Sequence, residues 1–170
     1  MRFEIQLRVV ADDGRVIETD EVLALEKTDA RLEAIGLSLA EGKALLRGCQ
    51  QRIVTAQARS FVDRCRRCPD CGRPLRSKGS GTLLFRSAFG EVPVASPRLH
   101  RCACSTTDSK TFSPLTRLFT GHTAPELLYL ETKWASLVAY GLTAELLKDV
   151  LPVGTTANAE TDRKSTRLNS

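Results

Sequence analysis

The chain has 170 residues, 42% hydrophobic and 26% charged, which is enough for one or two small globular domains. Its first residues hold no apolar signal core and no run reaches transmembrane length, so we predict a cytoplasmic protein with reduced cysteines and no membrane partner. The net charge of +5 is unevenly placed, because residues 63–110 carry 10 basic and 4 acidic groups whereas residues 1–62 carry 9 and 10. The basic excess therefore lies on the segment that holds most of the cysteines.

The N-terminal segment, residues 1–63, is predicted as a small β-hairpin followed by a long helix. Residues 3–9 alternate apolar and polar side chains, and Asp13-Gly14 is a hairpin turn signal. Ser38 and Glu41 form a capping box. Apolar or small residues then recur at helical spacing to about Asp63, namely Leu46, Cys49, Ile53, Ala56 and Ser60. Such a helix either mediates homo-oligomer formation or packs against its own domain, and Cys49 is predicted to be a small core residue.

The cysteine segment, residues 64–112, is predicted as a zinc ribbon. Cys68 and Cys71 form one Cys-x-x-Cys pair, and Cys102 and Cys104 form a tighter Cys-x-Cys pair 30 residues on. Between them, short strands are predicted at residues 81–86, 91–94 and 98–101, with a turn at residues 89–90. Four thiolates around one ion indicate structural zinc, because a closed tetrahedral site leaves no position for substrate.

Two alternatives remain for these cysteines. In the first alternative, the cysteines are buried thiols or form disulfides, and a reducing compartment disfavours disulfides. In the second, Cys65 replaces Cys68 as a ligand, because Cys65-x-x-Cys68 has the same spacing. Gly72 favours the later pair, since glycine lets the chain turn beneath the metal.

The basic side chains of this segment are candidates for phosphate contacts, although charge runs are often only solvated faces. We predict that DNA binding involves six of them, which are Arg73, Arg76, Lys78, Arg86, Arg98 and Arg101.

The last segment, residues 113–161, is predicted to be helical. Pro125 opens a helix with Leu127, Leu130, Trp134, Leu137 and Val138 inward and Gly141 at its end. Thr143 then caps a helix from 144 to 151, which Pro152 ends. Asn158 is a cap for a third helix at residues 159–161. This order indicates a partial helix-turn-helix with Trp134 buried between its helices, although a plain helical hairpin fits equally well. The predicted fold class is therefore α+β.

The order of these pieces resembles the N-terminal half of ISKra-type insertion-sequence transposases of bacteria. The matching motifs include Cys68-Pro69-Asp70-Cys71-Gly72 and Cys102-Ala103-Cys104, and the matching residues are 37–46, 50, 57, 68–72, 78–79, 89–90, 96–98, 102–104, 112–115, 125–127, 129–131, 133–136, 140–144 and 151–152. The resemblance implies that the ribbon and the helix-turn-helix bind double-stranded DNA at the terminal repeats of the element. It places catalysis in a downstream Asp-Asp-Glu domain that holds Mg²⁺, so we expect no enzymatic activity of this chain.

The tail, residues 162–170, departs from the family pattern, which continues with a basic recognition helix. It resembles the translation of a sequencing adapter, and we interpret it as an artefact that follows a truncated chain; an ordinary disordered C-terminus is the alternative. The competing function is a stand-alone zinc-ribbon adaptor that binds protein or RNA partners.

Overall fold

The computed structural model describes residues 1–29, 31–105 and 109–154. Within these ranges the fold is mixed α+β, with small antiparallel sheets and one long helix, in the order β1 (Arg2–Val10), β2 (Val16–Glu26), α1 (Leu39–Arg64), β3 (Ser77–Ser87), β4 (Gly90–His100), β5 (Thr111–Phe112), α2 (Leu115–Leu118), α3 (Pro125–Ala135) and α4 (Tyr140–Val150). The predicted α+β class is confirmed at this level. No helix of the described ranges is both long enough and apolar enough to cross a membrane.

The described chain separates into two compact units that each combine distant segments. The first holds Met1–Arg52, Arg86–Glu91 and residues 123–154, and the second holds Ile53–Phe85 and Val92–His122. Their boundaries cut α1, β3 and β4, whereas the segments predicted from the sequence follow one another along the chain.

In the first unit, β1 and β2 form the predicted antiparallel hairpin. The predicted capping box also starts α1, since the Ser38 amide donates to Glu41 Oε2 at 2.7 Å and the Glu41 amide donates to Ser38 Oγ at 3.2 Å. Lys27 Nζ lies 2.6 Å from the Glu41 carboxylate and fixes the end of the hairpin to the start of the helix.

The second unit is built around an apolar core. Val54, Ala58 and Val62 of α1 pack with Val92 and Val94 of β4 and with Leu115 at the start of α2. The core therefore uses a different face of α1 from the one marked by the predicted stripe, because Leu46 and Ile53 are 42% and 41% exposed. Cys49 is half-buried, so its predicted place in the core is not observed.

The three-stranded sheet has the order β3-β4-β5. Strand β3 is longer than predicted, β4 combines the two strands predicted at residues 91–94 and 98–101, and β5 was not predicted. Inward residues alternate at Val92 and Val94, but the next buried side chain is Leu99, so the inward parity changes around Pro97. Pro97 lies at this change and lacks the amide donor of a regular ladder, but Pro93 lies in the same strand without a change of parity, so proline alone does not explain it.

The C-terminal helices differ from the prediction at the turn between them. Helix α3 ends at Ala135, where Ser136 Oγ donates to the Lys133 carbonyl, and Leu137 is 75% exposed rather than inward. Trp134 is half-buried rather than enclosed.

Helix α4 also begins earlier than predicted. It starts at Tyr140, so Gly141 lies inside α4 and does not close the preceding helix. Thr143 is not a cap: it is 1% exposed, and its hydroxyl donates to the Ala139 carbonyl at 3.4 Å. The predicted third helix at residues 159–161 and the tail at residues 162–170 lie outside the described residues, so the helix-turn-helix stays a prediction.

Candidate metal centre

The first cysteine pair lies on a tight turn between two short extended segments. The Cys68 amide donates to the Arg73 carbonyl, and the Gly72 amide donates to the Cys68 carbonyl, both at 2.9 Å. Gly72 has a φ of 70°, a conformation that glycine adopts without strain. The predicted turn at Gly72 is confirmed, and the turn directs both thiols to the same side.

The second pair lies on a shorter turn after β4. The Ser105 amide donates to the Cys102 carbonyl at 3.0 Å, which folds the chain back within four residues. The His100 amide donates to the Arg76 carbonyl at 2.8 Å and joins the chain before this turn to the chain after the first one. That hydrogen bond brings the two cysteine pairs together across 30 residues of sequence.

The four thiols form one compact group. The sulfur atoms of Cys68, Cys71, Cys102 and Cys104 all lie within 4.8 Å of one another. Three of the separations are 3.5 Å for Cys68 to Cys104, 3.4 Å for Cys71 to Cys102 and 3.5 Å for Cys71 to Cys104. A tetrahedron of sulfur atoms ~2.3 Å from a central ion has edges of ~3.8 Å, close to these values. The arrangement can hold one metal ion, and none of the four cysteines is in a disulfide.

The electrostatics of the group favour thiolate at one position in particular. Hydrogen bonds donated to the Cys102 sulfur lower the pKa of Cys102 to about 7. The largest effect comes from the backbone amide of Cys104, and smaller ones come from the thiols of Cys104 and Cys71. The Cys104 thiol donates to its neighbours, which raises the pKa of Cys104. A bound cation would favour thiolate at all four positions, so metal binding would release protons near neutral pH.

The two remaining cysteines lie elsewhere. Cys65 follows the end of α1, where its amide donates to the Val62 carbonyl at 3.0 Å, and its sulfur is not part of the four-thiol group. Between the two ligand sets that the sequence left open, the structure brings together the one with Cys68. Cys49 lies in α1, within the other unit.

Four of the six basic residues predicted to bind DNA are exposed, namely Arg73, Arg76, Lys78 and Arg98. Arg101 is half-buried, with its guanidinium 4.9 Å from the centre of the Phe112 ring and its Nε donating to Ser109 Oγ at 2.9 Å. Arg86 is in a different environment, which the sequence did not indicate. Its Nε lies 3.6 Å from Glu91 and its Nη2 3.5 Å from Glu131, and its side chain is 20% exposed.

Comparisons with known protein families, with curated proteins and with solved structures found no match to this chain. The resemblance to insertion-sequence transposases therefore depends on the sequence motifs alone.

Proposed function

We propose that the four cysteines hold a structural zinc ion and that the chain is a DNA-binding part of a bacterial insertion-sequence transposase. The observation that supports DNA binding is the group of exposed arginines and lysines near the cysteine turns, and the observation that supports zinc is the compact group of four thiols. Zinc suits four thiolates at tetrahedral spacing, and the closed site gives it a folding role rather than a chemical one.

The backbone explains how these charges are held near one another. Arg73 follows the first cysteine turn directly, and its carbonyl accepts the Cys68 amide. The His100 amide donates to the Arg76 carbonyl, which aligns the neighbouring strands. Lys78 lies two residues after Arg76 and Arg98 two residues before His100, so antiparallel pairing in this register would bring their side chains to adjacent positions. Like charges at adjacent positions repel, and a phosphate backbone is the partner that would relieve this repulsion.

The proposed role is to hold DNA rather than to cut it. Lysine and arginine contacts to phosphate fix the position of a duplex but carry little sequence information. Recognition of the terminal repeats would therefore need the basic recognition helix that the family pattern places after residue 161, and strand transfer would need Mg²⁺-binding carboxylates in a separate catalytic domain. We assign no catalytic residue in this chain.

The salt dependence of binding to a random-sequence duplex tests the proposal. If the four exposed residues each neutralise one phosphate, the slope of log K against log salt is about −3.6, and affinity falls ~150-fold between 50 and 200 mM. The double variant Arg76→Ala, Arg98→Ala should reduce the slope by about 2. Arg15→Ala is the matched control, because Arg15 is an exposed arginine in the turn of the N-terminal hairpin.

An unchanged slope in the double variant would mean that the basic residues beside the cysteine turns do not contact phosphate. Absence of duplex binding at 50 mM salt, in protein that carries its metal, would contradict the proposal and favour the protein or RNA adaptor. Strong preference of the full chain for a terminal-repeat duplex over a random-sequence duplex would mean that the ribbon or the N-terminal region reads sequence by itself.

A further inference from the structure

Strand β1 leaves one long edge without a partner in the part of the chain that the structure describes. Its nine residues belong to a two-stranded sheet in which β2 is the only neighbour. The strand contains no proline, no glycine and no charged side chain among its apolar positions. Proline and inward-pointing charges are among the features that block sheet edges, because an open edge pairs readily with another strand. Arg2, Glu4 and Arg8 are charged, but they alternate with the apolar residues and lie on the other face of the strand.

The hydrogen bonds of the hairpin determine which backbone groups face outward. Met1 and Lys27 exchange two bonds, from the Met1 amine to the Lys27 carbonyl at 2.7 Å and from the Lys27 amide to the Met1 carbonyl at 2.8 Å. At the other end the Ala11 amide donates to the Arg15 carbonyl at 2.9 Å. Odd-numbered residues therefore pair inward, because bonding residues alternate along an antiparallel strand. The even-numbered residues Glu4, Gln6 and Arg8 present their amides and carbonyls at the open edge.

The irregularities of the hairpin lie in β2. The partners of Ile5 and Gln6 are Leu23 and Glu21, so the extra residue is on β2, and the second shift, at Val10, also skips a residue of β2. The outer edge of β1 therefore remains regular along its length. The outer edge of β2 is engaged within the chain, because Arg52 Nη2 donates to the Glu21 carbonyl at 2.8 Å.

We propose that a second copy of this chain pairs with the open edge of β1 in antiparallel orientation, with the two-fold axis at Gln6. This register places Glu4 of each copy opposite Arg8 of the other, which gives two cross-strand ion pairs. On the other face, Phe3 lies opposite Val9 and Ile5 opposite Leu7 of the second copy, so the apolar residues meet as well.

The neighbouring registers are less favourable. A two-fold axis at Ile5 would place Arg2 opposite Arg8 of the second copy, and like charges directly opposite destabilise a sheet. An axis at Leu7 would place Glu4 opposite Val10 and leave it without a basic partner. Glu4 also lies 2.9 Å from Arg2 of its own strand, but its side chain is 46% exposed and can accept a second cation.

The hairpin has a physical reason to associate. Among the described residues, every fully buried apolar side chain lies at or after Val54, so none belongs to the hairpin. A two-stranded sheet alone is marginally stable in water and becomes stable by packing against a helix or by gaining further strands. This hairpin is joined to α1 by the Lys27–Glu41 ion pair and the hydrogen bond from Arg52 to Glu21, and further strands would add to that support. Pairing of β1 with β1 makes a four-stranded sheet, and the two-fold symmetry closes the assembly at two chains.

Charge exchange tests the pairing, with sedimentation of the full zinc-bound chain over a range of concentrations as the assay. The wild type should form a dimer. Glu4→Arg and Arg8→Glu should each weaken the dimer by about tenfold or more, because each turns two attractions into two repulsions. An equimolar mixture of the two variants should form a heterodimer, and the double variant should dimerise again. The matched control is Glu21→Arg, an exposed position of β2 opposite Gln6, which should dimerise like the wild type.

Amide exchange locates the interface independently. The amides of Glu4, Gln6 and Arg8 should become protected as concentration rises, while that of Ile5 is protected in monomer and dimer alike. A monomer at all concentrations, or a dimer that both charge reversals leave unchanged, overturns the proposal. Concentration-dependent protection confined to residues 39–53 would also overturn it and would favour self-association through α1, one of the two alternatives that the sequence left open for this helix. None of these outcomes depends on DNA binding.

Discussion

Removal of the metal should unfold the first cysteine turn and leave the apolar core of the same unit folded. Residues 66–75 contain Cys68 as their one buried side chain, and three backbone hydrogen bonds hold the turn, from Cys68 to Arg73, from Gly72 to Cys68 and from Leu75 to Arg66. The core, in contrast, joins Val54 to Leu115 through buried contacts that do not involve the thiols.

The expected magnitude follows from these contacts. Ordering about ten residues costs roughly 10–20 kcal/mol of conformational free energy. Three backbone hydrogen bonds return about 3 kcal/mol. A structural zinc ion contributes about 10–16 kcal/mol in small zinc domains, which offsets the remainder. We therefore expect the turn to be stable when a metal ion is bound and unstable without one.

The assay is hydrogen exchange measured by mass spectrometry before and after treatment with a chelator. Peptides from residues 66–75 and 101–105 should lose protection, while those from residues 54–62 and 92–94 should keep it. Cys104→Ser should behave as the chelated protein does. Cys65→Ser and Cys49→Ser are the controls, because both cysteines lie outside the four-thiol group and their loss should leave the metal content at one per chain.

Two results would refute this reasoning. If the chelated protein keeps protection over residues 66–75, the turn is held by its own contacts and the metal has no folding role. If chelation removes the helical circular dichroism signal, the metal supports the core as well, and the separation between turn and core is wrong.

Two further predictions concern stability. The pKa of Glu41 is lowered to about 2, chiefly by the hydrogen bond from Lys27 and then by the amide and hydroxyl of Ser38. Ionised Glu41 therefore stabilises the folded state fully above its ordinary pKa, and this contribution is lost as pH falls from ~4.5 to ~2. The difference in urea midpoint between wild type and Glu41→Gln should therefore shrink between pH 7 and pH 3, and a constant difference would contradict it. Leu115 is 0% exposed in the core, so Leu115→Ala should lower the free energy of unfolding in urea by about 2–5 kcal/mol. Leu118 is 43% exposed, so Leu118→Ala should lower it by less than about 1 kcal/mol. Equal losses of unfolding free energy would contradict the assigned core.

The sequence predicted the features that depend on short spacing. Two cysteines separated by one or two residues can share an ion only on a tight turn, so Cys68 and Cys71 could be paired before any fold was known. The start of α1 was predictable for the same reason, because Ser38 and Glu41 contact each other within one turn of helix.

Features that depend on distant partners were not predictable in this way. Val54 and Ala58 are buried because β4 and α2 pack against them, whereas the equally apolar Leu46 and Ile53 remain exposed. Periodicity identifies a helix but does not show which of two apolar faces meets the core. Thr143 illustrates the same limit, since a threonine can cap a helix or bond within it and local sequence does not distinguish the two.

Arg86 shows how a distant partner changes the meaning of a charge. In the sequence it is one of ten basic groups on the cysteine segment and counts toward phosphate binding. In the structure its guanidinium lies between Glu91 and Glu131, and its carbonyl accepts the Ala124 amide at 2.8 Å. Two carboxylates at 3.5–3.6 Å compensate the cation, so it attracts phosphate less than an exposed arginine does. The charge count alone therefore overstates the DNA affinity that the proposal predicts, and Arg86→Ala is not expected to change the slope of log K against log salt.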